Sequence, residues 1–239
     1  TFDAHNNLLA GTDNGLYVIS PNGMVSRIIH DARSQESLVN NIVWSLFRDR
    51  FNNIWIGTDN GMSMLSGLSF YRYTPLADIT QSGDGNCLHN IYRDSRGTMW
   101  MGGTDGLLRY DNYNGIYANM SWFRQNSSKT PLSHNRIRSI YEDADGDIWV
   151  ATDHGINWYD RKSGQFRNFI ISDKTGRYST AWAYDLVLDS RKRLWIAAYM
   201  GGVFVIDKRR LLYSHGTVIA DHHIRSEEHT SELQSPSRI

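Results

Sequence analysis

An eight-residue pattern recurs five times along the 239 residues, and its spacing constrains the fold more than any other feature. In its clearest copy it reads Ile54-Trp55-Ile56-Gly57-Thr58-Asp59-Asn60-Gly61. Trp100, Trp149 and Trp195 anchor three further copies, and Leu9 takes the Trp place in the first. The anchors at 9, 55, 100, 149 and 195 are separated by 46, 45, 49 and 46 residues. A fixed period of this length marks a chain of stacked supersecondary units, because one unit cannot bury its hydrophobic face alone.

Each unit reads the same way. An Asp lies six residues before the anchor: Asp3, Asp49, Asp94, Asp143 and Asp189. Three residues before the anchor stand Asn6, Asn52, Gly97, Gly146 and Lys192. Asp bonds its own backbone two residues on, and Gly or Asn tolerates positive φ, so D-x-x-[G/N] predicts a tight turn in which Lys192 fits poorly. The segments on either side predict strands: an inner one such as Val43–Phe47, then the short apolar anchor run expected of a strand buried on both faces. T-x-x-G forms a second turn, whose Gly (Gly15, Gly61, Gly106, Gly155, Gly201) opens a third strand. A weaker, more polar fourth strand follows, as in residues 166–169. Four antiparallel strands per 45-odd residues is the size of a propeller blade, with a Trp filling each wedge between blades. Helix is not expected in the repeats.

Composition excludes little beyond this. Lys and Arg balance Asp and Glu at 25 each, without a basic cluster of the kind that nucleic acid rewards. The one cysteine, Cys87, excludes an internal disulfide or a cysteine zinc site. No apolar run reaches the length of a membrane span, and no signal peptide opens the chain, which suggests that its natural start lies upstream of Thr1.

The pattern N-x-I-x-x-I-x-x-D-x-x-G-x-I-W-I-G-T-x-x-G-L-x-x-Y-D resembles the two-component regulator propeller repeat, over about residues 1–207. The unit with Asn135, Ile137, Ile140, Asp143, Gly146, Trp149, Thr152, Gly155, Tyr159 and Asp160 fits almost throughout. Gly103 departs from it, and so does Ala198-Tyr199-Met200. The resemblance implies an all-β fold, a fragment of a seven-bladed propeller with four full blades and a partial one. It also implies a periplasmic sensor domain of an inner-membrane hybrid histidine kinase, regulating a phosphorelay and transcription. That receptor is expected to act as a homodimer and to touch the membrane only through other segments. No cofactor, no metal, no nucleic acid and no catalysis are expected of this chain. Residues 1–212 are assigned to the propeller and 213–224 to a connection, with the fifth blade lacking its fourth strand. Residues 225–239 read like a translated sequencing adapter and are expected to be a disordered tail.

If the strand before each D-x-x-G turn is innermost, the T-x-x-G turns and inter-blade loops surround the channel mouth, where propellers by analogy bind ligands. That places Trp44, His89, Arg136, Arg138, Trp182 and Tyr184 at the mouth, with His154 and Tyr199 on its turns; Ile42, Cys87, Asp59 and Asp105 stand in equivalent places. An aromatic, Arg-rich mouth suits an oligosaccharide, whose C–H faces stack on rings and whose acids pair with Arg. Packing and channel lining are the plainer reading of the same residues. Asp143-Ala144-Asp145-Gly146-Asp147 resembles the start of a calcium loop, but its Gly is misplaced and the downstream Glu is absent. His222-His223 has no partner pattern, and Cys87 reads as a buried filler. A secreted lyase similar to the streptogramin lyases would need His with Glu at the mouth, and outside the tail only Glu36 and Glu142 exist. A protein-interaction propeller would be expected to carry G-H…W-D repeats, which are missing here.

Overall fold

The computed structural model describes residues 1–34, 37–66, 69–73, 87–111, 120–127, 131–215 and 217–225. The repeats form separate sheets of antiparallel strands, in simple meander order in blades one to three. Blade one holds β1 (Leu8–Thr12), β2 (Gly15–Ile19) and β3 (Val25–Ile28). Blade two holds β4 (Val43–Arg48), β5 (Ile54–Thr58), β6 (Gly61–Ser66) and β7 (Ser69–Tyr73). Blade three holds β8 (Leu88–Arg93), β9 (Met99–Gly103), β10 (Leu107–Tyr110) and β11 (Met120–Phe123). Blade four follows with β12 (Ile137–Glu142), β13 (Ile148–Thr152), β14 (Ile156–Asp160) and β15 (Gln165–Ser172). Blade five starts with β16 (Ala183–Leu188), β17 (Arg193–Ala198) and β18 (Gly202–Asp207). The strands β4, β8, β12 and β16 touch one another in succession, and β1 touches β4, so the strand before each D-x-x-G turn is innermost.

The first four anchor residues pack forward, each onto the next blade. Leu9 meets Val43, Ile54 and Ile56; Trp55 meets Leu88, Met99 and Met101. Trp100 joins Ile137, Ile148 and Val150, and Trp149 joins Leu186, Leu194 and Ile196. Trp100 and Trp149 are fully buried, a burial worth roughly 3 kcal/mol or more per side chain. The indole N–H cannot enter this core without a partner. In every Trp-bearing blade it donates to the Asp six residues earlier: Trp55 to Asp49 at 3.0 Å, Trp100 to Asp94 at 3.0 Å, Trp149 to Asp143 at 2.8 Å and Trp195 to Asp189 at 2.9 Å. Where Leu9 removes the indole, Asp3 still accepts from the Asn7 backbone and side chain, as Asp49 does from Asn53. The other Asp oxygen receives turn amides, as in Phe51 N and Asn53 N onto Asp49 Oδ1. One carboxylate thus closes the turn and anchors the core.

The turn residue adopts positive φ in all five copies: Asn6 62°, Asn52 64°, Gly97 88°, Gly146 81° and Lys192 61°. Lys192 holds the conformation despite its side chain, which reaches Asp145 at 2.5 Å.

Two expectations need correction at blade five. The residue equivalent to Gly15, Gly61, Gly106 and Gly155 is Gly202 (φ 84°), not Gly201, because Ala198 pairs with Gly202 where Thr58 pairs with Gly61. The turn therefore holds one extra residue. Secondly, the fourth strand is not lost. After α1 (Lys208–Tyr213) and β19 (Thr217–Ile219), β20 (His222–Ile224) pairs with β18 through Val203↔Ile224. A Cβ on Gly202 would lie 2.5 Å from Ile224 O, just as one on Gly155 would lie 2.4 Å from Phe169 O on the fourth strand of blade four. The sequence hides β20 because helix and strand intervene: Asp207 caps α1 by accepting from Arg210 N, and β19 pairs in parallel with β15. Helix, unexpected in the repeats, appears among the described residues as α1 inside blade five and as a 3-10 turn at Thr180–Trp182. Residues 226–239 and Glu36 lie outside the described residues.

The calcium-like segment is occupied by protein. Lys208 Nζ lies 2.7 Å from Asp143, 2.9 Å from Asp145 and 2.7 Å from Asp147. Burial works against its charge, but these bonds outweigh it and hold the ammonium well above the ordinary lysine range. Arg161 does the same one blade earlier, reaching Asp94 at 2.9 Å. In both places a cation just past the third strand of one blade neutralises the anchor Asp of the preceding blade. Glu142 lies beside this face, accepting from Ser95 N and Oγ at 2.7 Å each.

Candidate ligand cleft at the mouth

All four inner strands of blades two to five slip register at one place: between Val43 and Ser45, Leu88 and Asn90, Ile137 and Ser139, and Ala183 and Asp185. The bulged residues are Trp44, His89, Arg138 and Tyr184. A bulge re-aims its side chain out of the ladder, and here the same bulge is repeated around the mouth. Beside it, the first variable residue of each second turn donates its N–H to the chain entering the inner strand. Asp59 bonds Ile42 O at 3.0 Å, Thr104 bonds Cys87 O at 3.2 Å, Asp153 bonds Arg136 O at 3.4 Å and Tyr199 bonds Trp182 O at 2.8 Å.

The result is a cleft of about 980 Å³ spanning blades two to five. Of the residues singled out in the sequence, Trp44, His89, Arg136, Arg138 and Tyr184 line it, together with Cys87 and Asp59. Trp182 and Tyr199 stand beside it as an exposed stack: Trp182 on Tyr199 at 5.3 Å and Tyr184 on Tyr199 at 5.7 Å, with interplanar angles of 29° and 28°. The extra residue in the fifth turn accompanies this exposure of Tyr199, which is half accessible. His154 and Asp105 are not among the lining residues. Both occupy the second variable position of the turn, where His154 is exposed and Asp105 pairs with Arg124 at 2.6 Å. The first variable position is the one that faces the mouth, so Asp153 and Thr104 belong to the cleft, as does His134. Register against Asp59 could have found Asp153 and Thr104 in the sequence; nothing local marks His134.

The lining is bonded internally. Asp59 Oδ1 accepts from the Trp44 indole at 3.1 Å and from Cys87 Sγ at 3.2 Å. Cys87 Sγ also lies 3.0 Å from His89 Nε2, and Trp44 meets the His89 ring edge-on at 5.0 Å. Burial, with Asp59 adding to it, pushes the Cys87 thiol up to about 12, so the sulfur stays protonated and is a poor nucleophile. Burial first, then the charges of Arg136 and Arg138, push His89 below the ordinary histidine range. Arg138 holds Asp153 through two bonds, 2.5 Å and 3.0 Å, which raise its pKa further, and its guanidinium lies 4.7 Å from the Tyr184 ring. His223, by contrast, is structural: it stacks on Phe204 at 4.4 Å and bonds Gly201 O.

The two-component regulator propeller family matches at residues 37–60 and 131–154. The chain is 43% identical to the extracellular domain of a candidate one-component system, BT4673, from B. thetaiotaomicron, over 94% of this chain with a TM-score of 0.57. A second structure of that domain, described as from a hybrid two-component system, gives 40% identity over 95% and a TM-score of 0.59. The chain spans about 30% of the length of these structures. Virginiamycin B lyase from Staphylococcus aureus shares the fold alone, at 13% identity, a TM-score of 0.58, and coverage of 87% of this chain and 66% of the lyase. No curated protein matches the chain. Five blades, the Asp–Trp anchor in four of them and the family match together show that this is an all-β propeller arc built of two-component regulator propeller repeats.

Proposed function

We propose that the chain forms part of the extracellular sensor propeller of a hybrid two-component histidine kinase and recognises a glycan-derived oligosaccharide at the cleft. The observation that carries this reading is the repeated bulge, which brings Trp44, His89, Arg138 and Tyr184 from four blades to one mouth. The stacked, exposed rings of Trp182, Tyr199 and Tyr184 offer the flat faces that sugar C–H groups cover. The 43% identity to an extracellular domain from a candidate signalling system supports the sensor assignment.

In this reading the domain is periplasmic, tied to the inner membrane by other parts of a homodimeric receptor, and phosphoryl transfer belongs to those parts. The chain itself binds without catalysis. Signalling to the phosphorelay and to transcription follows from a ligand that favours one arrangement of the receptor, because equal affinity for both arrangements shifts nothing.

The test is a glycan array probed with the folded chain, followed by titration of the best hit against Tyr184→Ala and Trp182→Ala. Loss of one stacking ring is expected to weaken binding about tenfold, since an aromatic contact contributes roughly 0.5–1.5 kcal/mol beyond its area. A blank array, or affinities unmoved by both substitutions, would sink the assignment of the cleft.

A further inference from the structure

The two arginines of the cleft differ in what they have left to give. Arg138 is engaged, with two bonds to Asp153 and its guanidinium over Tyr184. Arg136 is not. Its ion pair among the described residues is a 3.9 Å contact with the same carboxylate, and 46% of its side chain is accessible. Its backbone is fixed, the N–H donating to His134 Nδ1 and the carbonyl accepting from Asp153, so the loosely paired guanidinium sits on a held loop.

Charge follows from this arrangement. One carboxylate, Asp153, stands between two guanidinium groups, leaving that corner of the cleft with a surplus positive charge. The other acid, Asp59, belongs to blade two and is occupied by the Trp44 indole and the Cys87 thiol. Burial and the two arginines disfavour a charge on His89. Arginine offers a planar fork matched to oxyanions, and a half-exposed, loosely paired fork in a walled cleft is a receptor for one.

We infer that the cleft takes an acidic sugar, with Arg136 receiving its carboxylate or sulfate while the ring lies against the Tyr184 platform. This rests on the oligosaccharide reading and narrows it: Arg136 is the residue that separates acidic from neutral glycans.

The experiment titrates the full 239-residue chain with four tetrasaccharides: tetragalacturonate, its methyl ester, a chondroitin sulfate tetramer and a neutral galactan tetramer. Binding of one or both acidic probes, with the ester and the galactan at least tenfold weaker, is expected; the uronate and sulfate arms tell which anion is read. Arg136→Gln is expected to weaken the acidic probe about ten- to a hundredfold, the range of a charged hydrogen bond, with Arg136→Lys recovering part of the loss. The His89 imidazole, followed by NMR, is expected to titrate at higher pH with the acidic probe bound, a response that a merely structural role for Arg136 does not produce. Equal binding of acid and ester, preference for galactan, or indifference of the acidic probe to Arg136→Gln overturns the inference and leaves the glycan reading standing. If none of the four probes binds, the inference fails, and the glycan reading fails with it only if the array above is also blank.

Discussion

Blades four and five repeat the same hairpin with different surroundings. In β13 all five residues, Ile148 to Thr152, are buried; in β17 only Leu194 and Ile196 are, and they face blade four. Trp149 is fully buried and Trp195 is half-buried, yet both indoles donate to the Asp six residues before them, at 2.8 Å and 2.9 Å. The Asp–Trp bond is therefore a property of the hairpin, whereas burial is a property of the neighbour. Trp149 has the face of blade five against it, whereas among the described residues no further blade covers Trp195.

The sharpest way to break the comparison is to remove both rings. Trp149→Ala is expected to cost roughly 3–5 kcal/mol through a core cavity, and Trp195→Ala well under half of that. Chemical denaturation measures both, and equal losses would mean that the neighbour contributes nothing. Next comes the cation that blade five's end supplies to blade four. Lys208→Met leaves Asp143 buried without its partner, a loss of about 3 kcal/mol by the behaviour of broken buried pairs. Because the folded-state Lys208 pKa is raised, its contribution is complete below the ordinary lysine pKa and declines only in strong alkali. Asp145, lowered by Lys192 and Lys208, gives stability present above 3.8 and lost as the pH falls further. Wild-type and Lys208→Met melting curves are thus expected to run parallel at neutral pH and converge in acid. An unchanged gap at pH 2 would contradict the ion-pair account.

A third substitution tests the repeat pattern itself. Gly103→Thr restores the family residue in blade three, but its Cβ would lie 1.8 Å from Cys87 O. The expected result is a loss of about 1–3 kcal/mol from overpacking, read by thermal melting. A stabilised variant would show that the inner strand yields there. The smallest effect belongs to Lys192→Asn, which gives blade five the turn residue of blades one and two. Relief of left-handed strain, about 1 kcal/mol, is partly offset by the exposed Asp145 pair, for a net gain near 0.5 kcal/mol. A net loss in urea denaturation would assign more to that pair than exposure allows.

Much of this was legible before any coordinates. The D-x-x-[G/N] turns and the buried anchor strands followed from period, turn chemistry and alternation; the innermost strand, and with it the placing of five of the eight proposed residues around the cleft, came by analogy with other propellers. What escaped did so for definite reasons. Gly201 and Gly202 are adjacent, and the choice of opener depends on which one the fourth strand's carbonyl approaches. The final strand of blade five follows a helix and a parallel strand, so the repeat period no longer marks it. His154 and Asp153 are also adjacent, and only the turn's bond to Arg136 O shows which faces the mouth.

The sequence by itself determined the blade: its turns, strand order and Asp-to-Trp spacing are contacts within some twenty residues, set by local geometry. Only the tertiary structure decided what each blade meets. Lys208 and Asp143 are 65 residues apart, and Arg161 and Asp94 are 67 apart. The cleft draws its walls from four blades, and whether a given arginine is spent on a neighbour or left free is a matter of packing that no single repeat records.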